Sequence, residues 1–264
     1  MKSILSNIFC VCLSILAAWS IETQAQELVV GANIGNVPWE FQDASGDFVG
    51  FEVDLVKEIG TRLGRPVEVV NIPFNGLFSA VQSGRIDIAL SSITVTDKRL
   101  GSVAFAQPYY DSAQSLTVTT RSSANGLADM RGKIIGVDTG STGDMWTTGN
   151  SDKYGFDDIR RYEGLAPAML DLQTGRIDAY ISDIPSLEYF IKNKSVFKII
   201  ERIETGERYA MMFGKGKPLA DEVDAVITTL KQEGFVAALH ERWFGTVPAE
   251  SSSTVTVVEK PTSR

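Results

Sequence analysis

Histidine and cysteine are almost missing from this chain, which has one of the former, His240, and two of the latter, Cys10 and Cys12. Both cysteines fall in the first dozen residues, so the rest has no disulfide, no thiol nucleophile and no sulfur ligand for a metal. One histidine supports no Ser/His/Asp set and no His/Cys metal cluster, and no phosphate loop can be assembled. No cofactor is expected. Basic residues are in deficit too: 25 Lys and Arg against 33 Asp and Glu leave a net charge of −8. That balance argues against nucleic acid or anionic lipid as a partner.

Long apolar runs are also scarce. The first stretches from Ile4 to Ile21, follows Lys2, is broken by Ser6 and Asn7, and gives way to Thr23-Gln24-Ala25. The layout predicts a signal peptide over 1–25, cleaved near Ala25, and a periplasmic mature protein. A retained anchor would need about 20 apolar residues. Neither cysteine ends the run behind small residues, so no lipid anchor is expected. Cleavage removes one base (Lys2) and one acid (Glu22), leaving the charge unchanged. At the other end, 249–264 is rich in Ser, Thr, Val and Pro without a helical stripe, and is expected to be a disordered tail.

Between these ends the pattern alternates. Leu28-Val29-Val30 reads as a strand, and Phe51, Leu55, Ile59 and Leu63 form one helical stripe closed by Gly64 and Pro66. Val67–Val70 and Ile86–Leu90 read as further strands, with a helix over Leu77–Gln82. The second half repeats the plan: a strand at 133–137, a helix opening over 143–148 and another over 166–172. Gln82-Ser-Gly-Arg-Ile-Asp87 returns as Gln173-Thr-Gly-Arg-Ile-Asp178. In both copies a helix ends at Gly and a strand follows, which predicts two related α/β lobes, each with a mostly parallel sheet flanked by helices.

Open parallel sheets bind ligands beyond the carboxyl ends of their strands. Polar residues stand at four such ends: Asn33, Ser91-Ser92, Asp138 through Thr142, and Ser182-Asp183. A free amino acid carries a carboxylate and an ammonium a few ångströms apart, so its site needs a fixed cation, a fixed anion and neutral partners. Arg99 is the candidate cation, because its planar fork can hold a carboxylate through two bonds; the alternative is a surface arginine paired with an acid. Asp183 is the candidate anion, and an N-cap ahead of Pro185 is its other reading. Ser141 and Thr142, in a Gly-flanked loop, offer amides to a carboxylate or simply cap a helix. Ser92 and Thr94 supply hydroxyls, or form a solvated turn. Phe74 walls the site or belongs to the core.

Gly50-Phe-Glu-Val-Asp-Leu55, Ser91-Ser-Ile-Thr-Val-Thr-Asp-Lys-Arg99, Gly140-Ser-Thr142 and Trp243-Phe-Gly245 resemble the periplasmic polar-amino-acid-binding proteins of importers driven by ATP hydrolysis. The likeness covers about 27–248. Asp183-Ile-Pro185 with Tyr189-Phe-Ile-Lys192, and the Trp243 ending, bring it nearest to the glutamine binders, then to those for histidine and for lysine, arginine and ornithine. The resemblance implies a two-lobed periplasmic binding protein fold of type II: one lobe from 26–114 and 209–248, the other from 115–208. The chain would cross between them near 115–121 and 204–209 and close about that hinge. It also implies that Arg99 and the amides near Thr94 and Thr142 hold the ligand carboxylate, that Asp183 with Ser92 and Thr94 holds the ammonium, and that Phe74 walls the side chain. Two departures bear on specificity. Asn33 and Asn36 replace a common acid and aromatic, and Asp138 stands where glutamine binders carry lysine. A polar or cationic ligand other than glutamine follows as the expectation. The implied partners are that amino acid and the ABC permease, with the protein a monomer.

Two enzyme readings compete. Ile134 to Ser141 mimics an aspartic-protease turn through Asp138-Thr139-Gly140-Ser141, but that chemistry needs two carboxylates and the chain has one such triplet. Cyclohexadienyl dehydratases share the binding-protein fold, with a cleft carboxylate as acid. Asp183 as an ammonium partner favours binding. His240, on a terminal amphipathic helix, is expected at the surface.

Overall fold

The computed structural model describes residues 26–262, and the expected signal peptide, with both cysteines, lies outside them. The first half runs β1 (Leu28–Ala32), a small hairpin of β2 (Phe41–Gln42) and β3 (Phe48–Val49), α1 (Phe51–Leu63), β4 (Val67–Asn71), α2 (Phe74–Gln82), β5 (Ile88–Leu90), α3 (Asp97–Leu100) and β6 (Val103–Phe105). The second runs β7 (Tyr110–Thr119), β8 (Ile134–Asp138), α4 (Thr142–Tyr154), β9 (Asp158–Tyr162), α5 (Leu165–Thr174), β10 (Ala179–Asp183), α6 (Ile184–Ile191) and β11 (Phe197–Tyr209). The chain then returns through β12 (Met212–Gly214), α7 (Leu219–Gln232) and α8 (Phe235–Phe244).

Two five-stranded sheets result, ordered β4-β1-β5-β12-β6 and β11-β7-β10-β8-β9. Each mixes two parallel pairings with two antiparallel ones. The parallel strands come from the repeated strand–helix–strand units; the antiparallel ones are those that leave and re-enter each lobe. This is the two-lobed α/β fold expected from the repeat.

The six-residue repeat has a physical explanation. Asp87 and Val29 exchange two hydrogen bonds, Asp87 N to Val29 O (2.8 Å) and Val29 N to Asp87 Oδ2 (3.0 Å). Asp178 and Ile134 do the same at 2.9 Å each. In each copy the preceding isoleucine lies over a glycine of the neighbouring strand: a Cβ on Gly31 would meet Ile86 Cδ1 at 2.5 Å, and one on Gly136 would meet Ile177 Cδ1 at 2.5 Å. The motif therefore pins the register of β5 on β1 and of β10 on β8. It carries the polar strand ends to equivalent places.

α1 buries Phe51, Leu55 and Ile59 as its stripe predicts, and stops at Gly64 in the left-handed conformation (φ 65°). α7 and α8 close over the same face, where Trp39, Phe51, Tyr110, Tyr209 and Phe244 form a continuous aromatic cluster. His240 belongs to it. It is 9% exposed, stacks on Tyr110 with centroids 5.5 Å apart, and shares a 2.8 Å bond with Thr246 O, which corrects its expected surface position. β7 is one unbroken strand, and β11 pairs with it as far as Ser112–Glu207 and Tyr110–Tyr209.

Part of the segment expected to be a disordered tail, Ser253 to Lys260, is tied to the body of the protein by hydrogen bonds. Ser253 donates to Asp111 through its amide (2.7 Å) and hydroxyl (2.5 Å), and Val258 N to Gln107 Oε1. Buried Lys231 donates to Gln107 Oε1, Pro108 O and Thr256 O. Hydropathy missed this because the docking is polar and meets a single buried ammonium. Truncation after Pro248 strips one acceptor, Thr256 O, from Lys231 and donors from Asp111 and Gln107. We expect a loss of about 1–3 kcal/mol, read as a lower melting temperature; an unchanged midpoint would show that the tail is not docked in solution.

Candidate functional site

The four polar strand ends named from the sequence are the carboxyl ends of the parallel strands β1, β5, β8 and β10, and they face one another across a single cavity of about 200 Å³. All ten candidates line it: Asn33, Phe74, Ser91, Ser92, Thr94, Arg99, Asp138, Ser141, Thr142 and Asp183. The volume lies below the range usual for drug-sized ligands and suits one small solute.

Arg99 is fixed from three directions. Thr96 caps the short α3 by accepting from Arg99 N (3.2 Å). The guanidinium donates to Thr94 O (2.7 Å) and, across the cleft, to Gly140 O (3.3 Å). Its carbon sits 5.5 Å from the Phe74 ring centroid and 5.2 Å from that of Phe78, a cation–π clamp. Burial lowers its pKa to about 10, so the charge persists at neutral pH. The surface-arginine reading fails, since Arg99 is 6% exposed and forms an ion pair with no acid among the described residues. Phe74 starts α2 and presents its ring to both the cation and the cavity.

Opposite stands Asp183. Gln114 Nε2 donates to its Oδ1 (2.6 Å) and Ser92 Oγ to its Oδ2 (3.2 Å). It precedes α6 at the N-cap position, yet its side chain makes no capping bond and turns into the site. Burial, and then the nearby Glu207 charge, raise its pKa to about 7. Ser92 is the one non-glycine residue with positive φ (45°) among the described residues, a strained conformation that aims its hydroxyl at Asp183.

The remaining candidates divide. Ser141 Oγ accepts from Asp144 N (3.0 Å) and Asp144 Oδ2 from Gly140 N (3.1 Å), so this hydroxyl is committed to capping α4. The Thr142 and Gly143 amides at its start, close behind the Thr94–Thr142 hydroxyl contact (3.5 Å), are the groups that suit an anion. Ser91 Oγ donates to Glu40 (2.6 Å), away from the cavity. Asp138 accepts through Oδ2 from Tyr180 OH (2.7 Å) and Ser182 Oγ (3.5 Å), and burial raises its pKa to about 6 against these bonds and that of the Gly164 amide. The protease-like turn thus ends a parallel strand of an α/β lobe, and Asp138 pairs with a tyrosine rather than a second carboxylate.

Several contributors were illegible in the sequence. Gln114 Nε2 also lies 3.0 Å from both oxygens of Glu207, which in turn accepts from Thr94 Oγ1 (3.2 Å). Ser186 accepts from Trp39 Nε1 (2.9 Å) and donates to Asn36 Oδ1 (3.1 Å). Glu163 reaches the rim beside Tyr162. Glu207 sits among exposed polar residues of β11, a pattern that gives no hint of burial.

The sequence profile of the bacterial extracellular solute-binding proteins, family 3, matches residues 28–246. An arginine-binding extracellular protein of Bacillus subtilis (strain 168) is 28% identical over 84% of this chain and 88% of its own length. An L-cystine-binding protein of Escherichia coli (strain K12) is 27% identical over 83% of this chain and 82% of its own. Among solved structures, an ancestral arginine-binding protein bound to arginine superposes with a TM-score of 0.80 at 30% identity, covering 84% of this chain and all of that one.

Proposed function

The chain belongs to the bacterial extracellular solute-binding proteins, family 3, and on that premise we propose that it is exported, captures a cationic amino acid between its lobes and delivers it to an ABC importer. The observation that carries the ligand class is charge. Asp138 and Asp183 line the cavity, Glu163 stands at its rim and Glu207 lies beneath, against the single guanidinium of Arg99. Arg99 and an α-carboxylate neutralise one another, and an α-ammonium answers Asp183. Asp138, on the cavity wall and held by the hydroxyls of Tyr180 and Ser182 but by no cation among the described residues, then calls for a second cation on the ligand side chain. Arginine fits best, as does the naming of several relatives.

In this reading the Thr142 and Gly143 amides join Arg99 on the carboxylate, Ser92 and Thr94 complete the ammonium site, Phe74 covers the aliphatic stem and Asn33 meets the side-chain end. A ligand that touches both Arg99 and Asp183 bridges the lobes and stabilises the closed form. Among the described residues the exposed large apolar side chains are single residues on separate segments, Leu170, Tyr189, Val247 and Val257, which supports a monomer.

Thermal shift and calorimetry against arginine, lysine, histidine, glutamine, glutamate and cystine test the assignment. Arginine or lysine should give the largest shift. Asp138→Asn should weaken arginine at least about tenfold, or about 1.4 kcal/mol, and leave glutamine nearly unchanged. Tighter binding of glutamine or glutamate by the native protein would overturn the cationic class.

A further inference from the structure

Behind Ser92 lie two carboxyl groups that do not line the cavity. Glu40 and Glu52 are both 0% exposed and lie within hydrogen-bond reach of each other. The backbone forces the meeting: Phe51 N and Glu52 N, at the start of α1, donate to Pro38 O (2.9 Å) and Trp39 O (3.0 Å), seating the loop that carries Glu40 on the helix end. Gly50 permits the approach, since a Cβ there would stand 2.1 Å from Trp39 O. No Lys, Arg or His among the described residues pairs with either acid.

The donors around them are unequal. Glu52 accepts from Ser92 N at both oxygens (2.9 and 3.1 Å) and from Tyr109 OH, and the first turn of a helix favours its negative charge. Glu40 accepts through Oε1 from Asn36 Nδ2 (3.0 Å) and Ser91 Oγ (2.6 Å), while its buried Oε2 receives nothing. One oxygen behaving as a carbonyl and the other bare is the pattern of an undissociated acid. Two buried carboxylates without a cation would repel at close range, and one proton removes the conflict. Burial, reinforced by the Glu52 charge, pushes the Glu40 pKa well above the carboxylate range, in the same sense.

We propose that Glu40 carries a proton that it donates to Glu52, and that this acid–carboxylate pair is the positioning element holding Ser92 and Asn36 against the ligand's ammonium subsite. The links are direct. Glu52 clamps the amide that gives Ser92 its left-handed turn, Glu40 orients Asn36, and Asn36 Nδ2 donates in turn to Ser92 Oγ (3.0 Å). Ser92 Oγ then meets Asp183. The affinity arm of the test rests on the cationic-ligand reading; the spectroscopic arm does not.

Infrared spectra of the full mature protein, taken well above the value of about 7 held by Asp183, should show the carbonyl stretch of an undissociated carboxylic acid. Glu40→Gln should abolish that band. Its amide can replace the acid as donor to Glu52 and acceptor from Asn36, so arginine affinity should stay within about threefold of native, whereas Glu40→Leu and Glu52→Gln should each lose more than about tenfold. A native spectrum without the band overturns the shared proton, and Glu40→Leu binding as well as Glu40→Gln overturns the positioning role. If Glu40→Leu does not fold, the contrast between Glu40→Gln and Glu52→Gln decides. Failure of native protein to bind arginine would count against the ligand class alone, since the band reports the pair directly.

Discussion

Arg99→Ala should lose at least about 30-fold in ligand affinity, and up to several thousandfold, from about 2–5 kcal/mol of lost binding energy. The size follows from where the guanidinium sits. It is 6% exposed, held by Thr94 O, Gly140 O and the faces of Phe74 and Phe78, so its rotamer is settled before a ligand arrives and little entropy opposes a two-point bond. Removing it leaves a carboxylate to be buried beside Asp183 and Glu207 with no cation, which costs more than the bond itself. Arg99→Lys tests geometry separately from charge. An ammonium cannot span Thr94 O, Gly140 O and a carboxylate at once, so that variant should also bind poorly. Circular dichroism should be unchanged in both variants, because the group is attached to a capped turn rather than to either core. Calorimetry that returned native affinity for Arg99→Ala would remove the cation from the site.

Asp183→Asn should split binding from stability. Affinity should fall by about 2–5 kcal/mol, the cost of leaving an ammonium without its counter-charge. The free protein should move the other way at neutral pH and above. Burial raises the Asp183 pKa from near 4 to about 7, so between those values the folded state holds a proton that the unfolded state has released. The contribution is fully present below the unfolded pKa and is lost as pH rises through about 7, at about 1.4 kcal/mol per unit of separation. Denaturation of the native protein should therefore become easier across that window, and the asparagine variant should lack that dependence. Binding has the opposite slope: the ammonium needs the carboxylate, so affinity should drop as pH falls below about 7, with proton release detectable in buffers of different ionisation enthalpy. An asparagine variant that kept native affinity would exclude Asp183 as the ammonium partner.

The relation between residue order and site is uneven. Strand ends were legible because a buried apolar run that finishes in Ser-Ser or Ser-Asp violates its own pattern, and such a violation is local. Arg99 was legible for a similar reason, a lone arginine after a Thr-Asp turn. The repeat Gln82–Asp87 and Gln173–Asp178 carried the two-lobe plan because its Asp and Ile set register directly. Ser141 was half-legible: its capping role depends only on Asp144 three residues on, and capping is what its hydroxyl does.

What the order of residues determined alone was everything with a short repeat or a local interruption: the alternation of strand and helix, the duplicated motif and the polar ends of the parallel strands. Tertiary structure decided which polar groups lost their water. Glu40 meets Glu52 only because a loop seats on a helix end; Gln114 and Glu207 come under Asp183 only where two crossing strands pair; Lys231 draws in the tail from 25 residues away. Each of these depends on burial imposed by partners distant in the chain, and the cost of burying a charge cannot be assigned until those partners are in place.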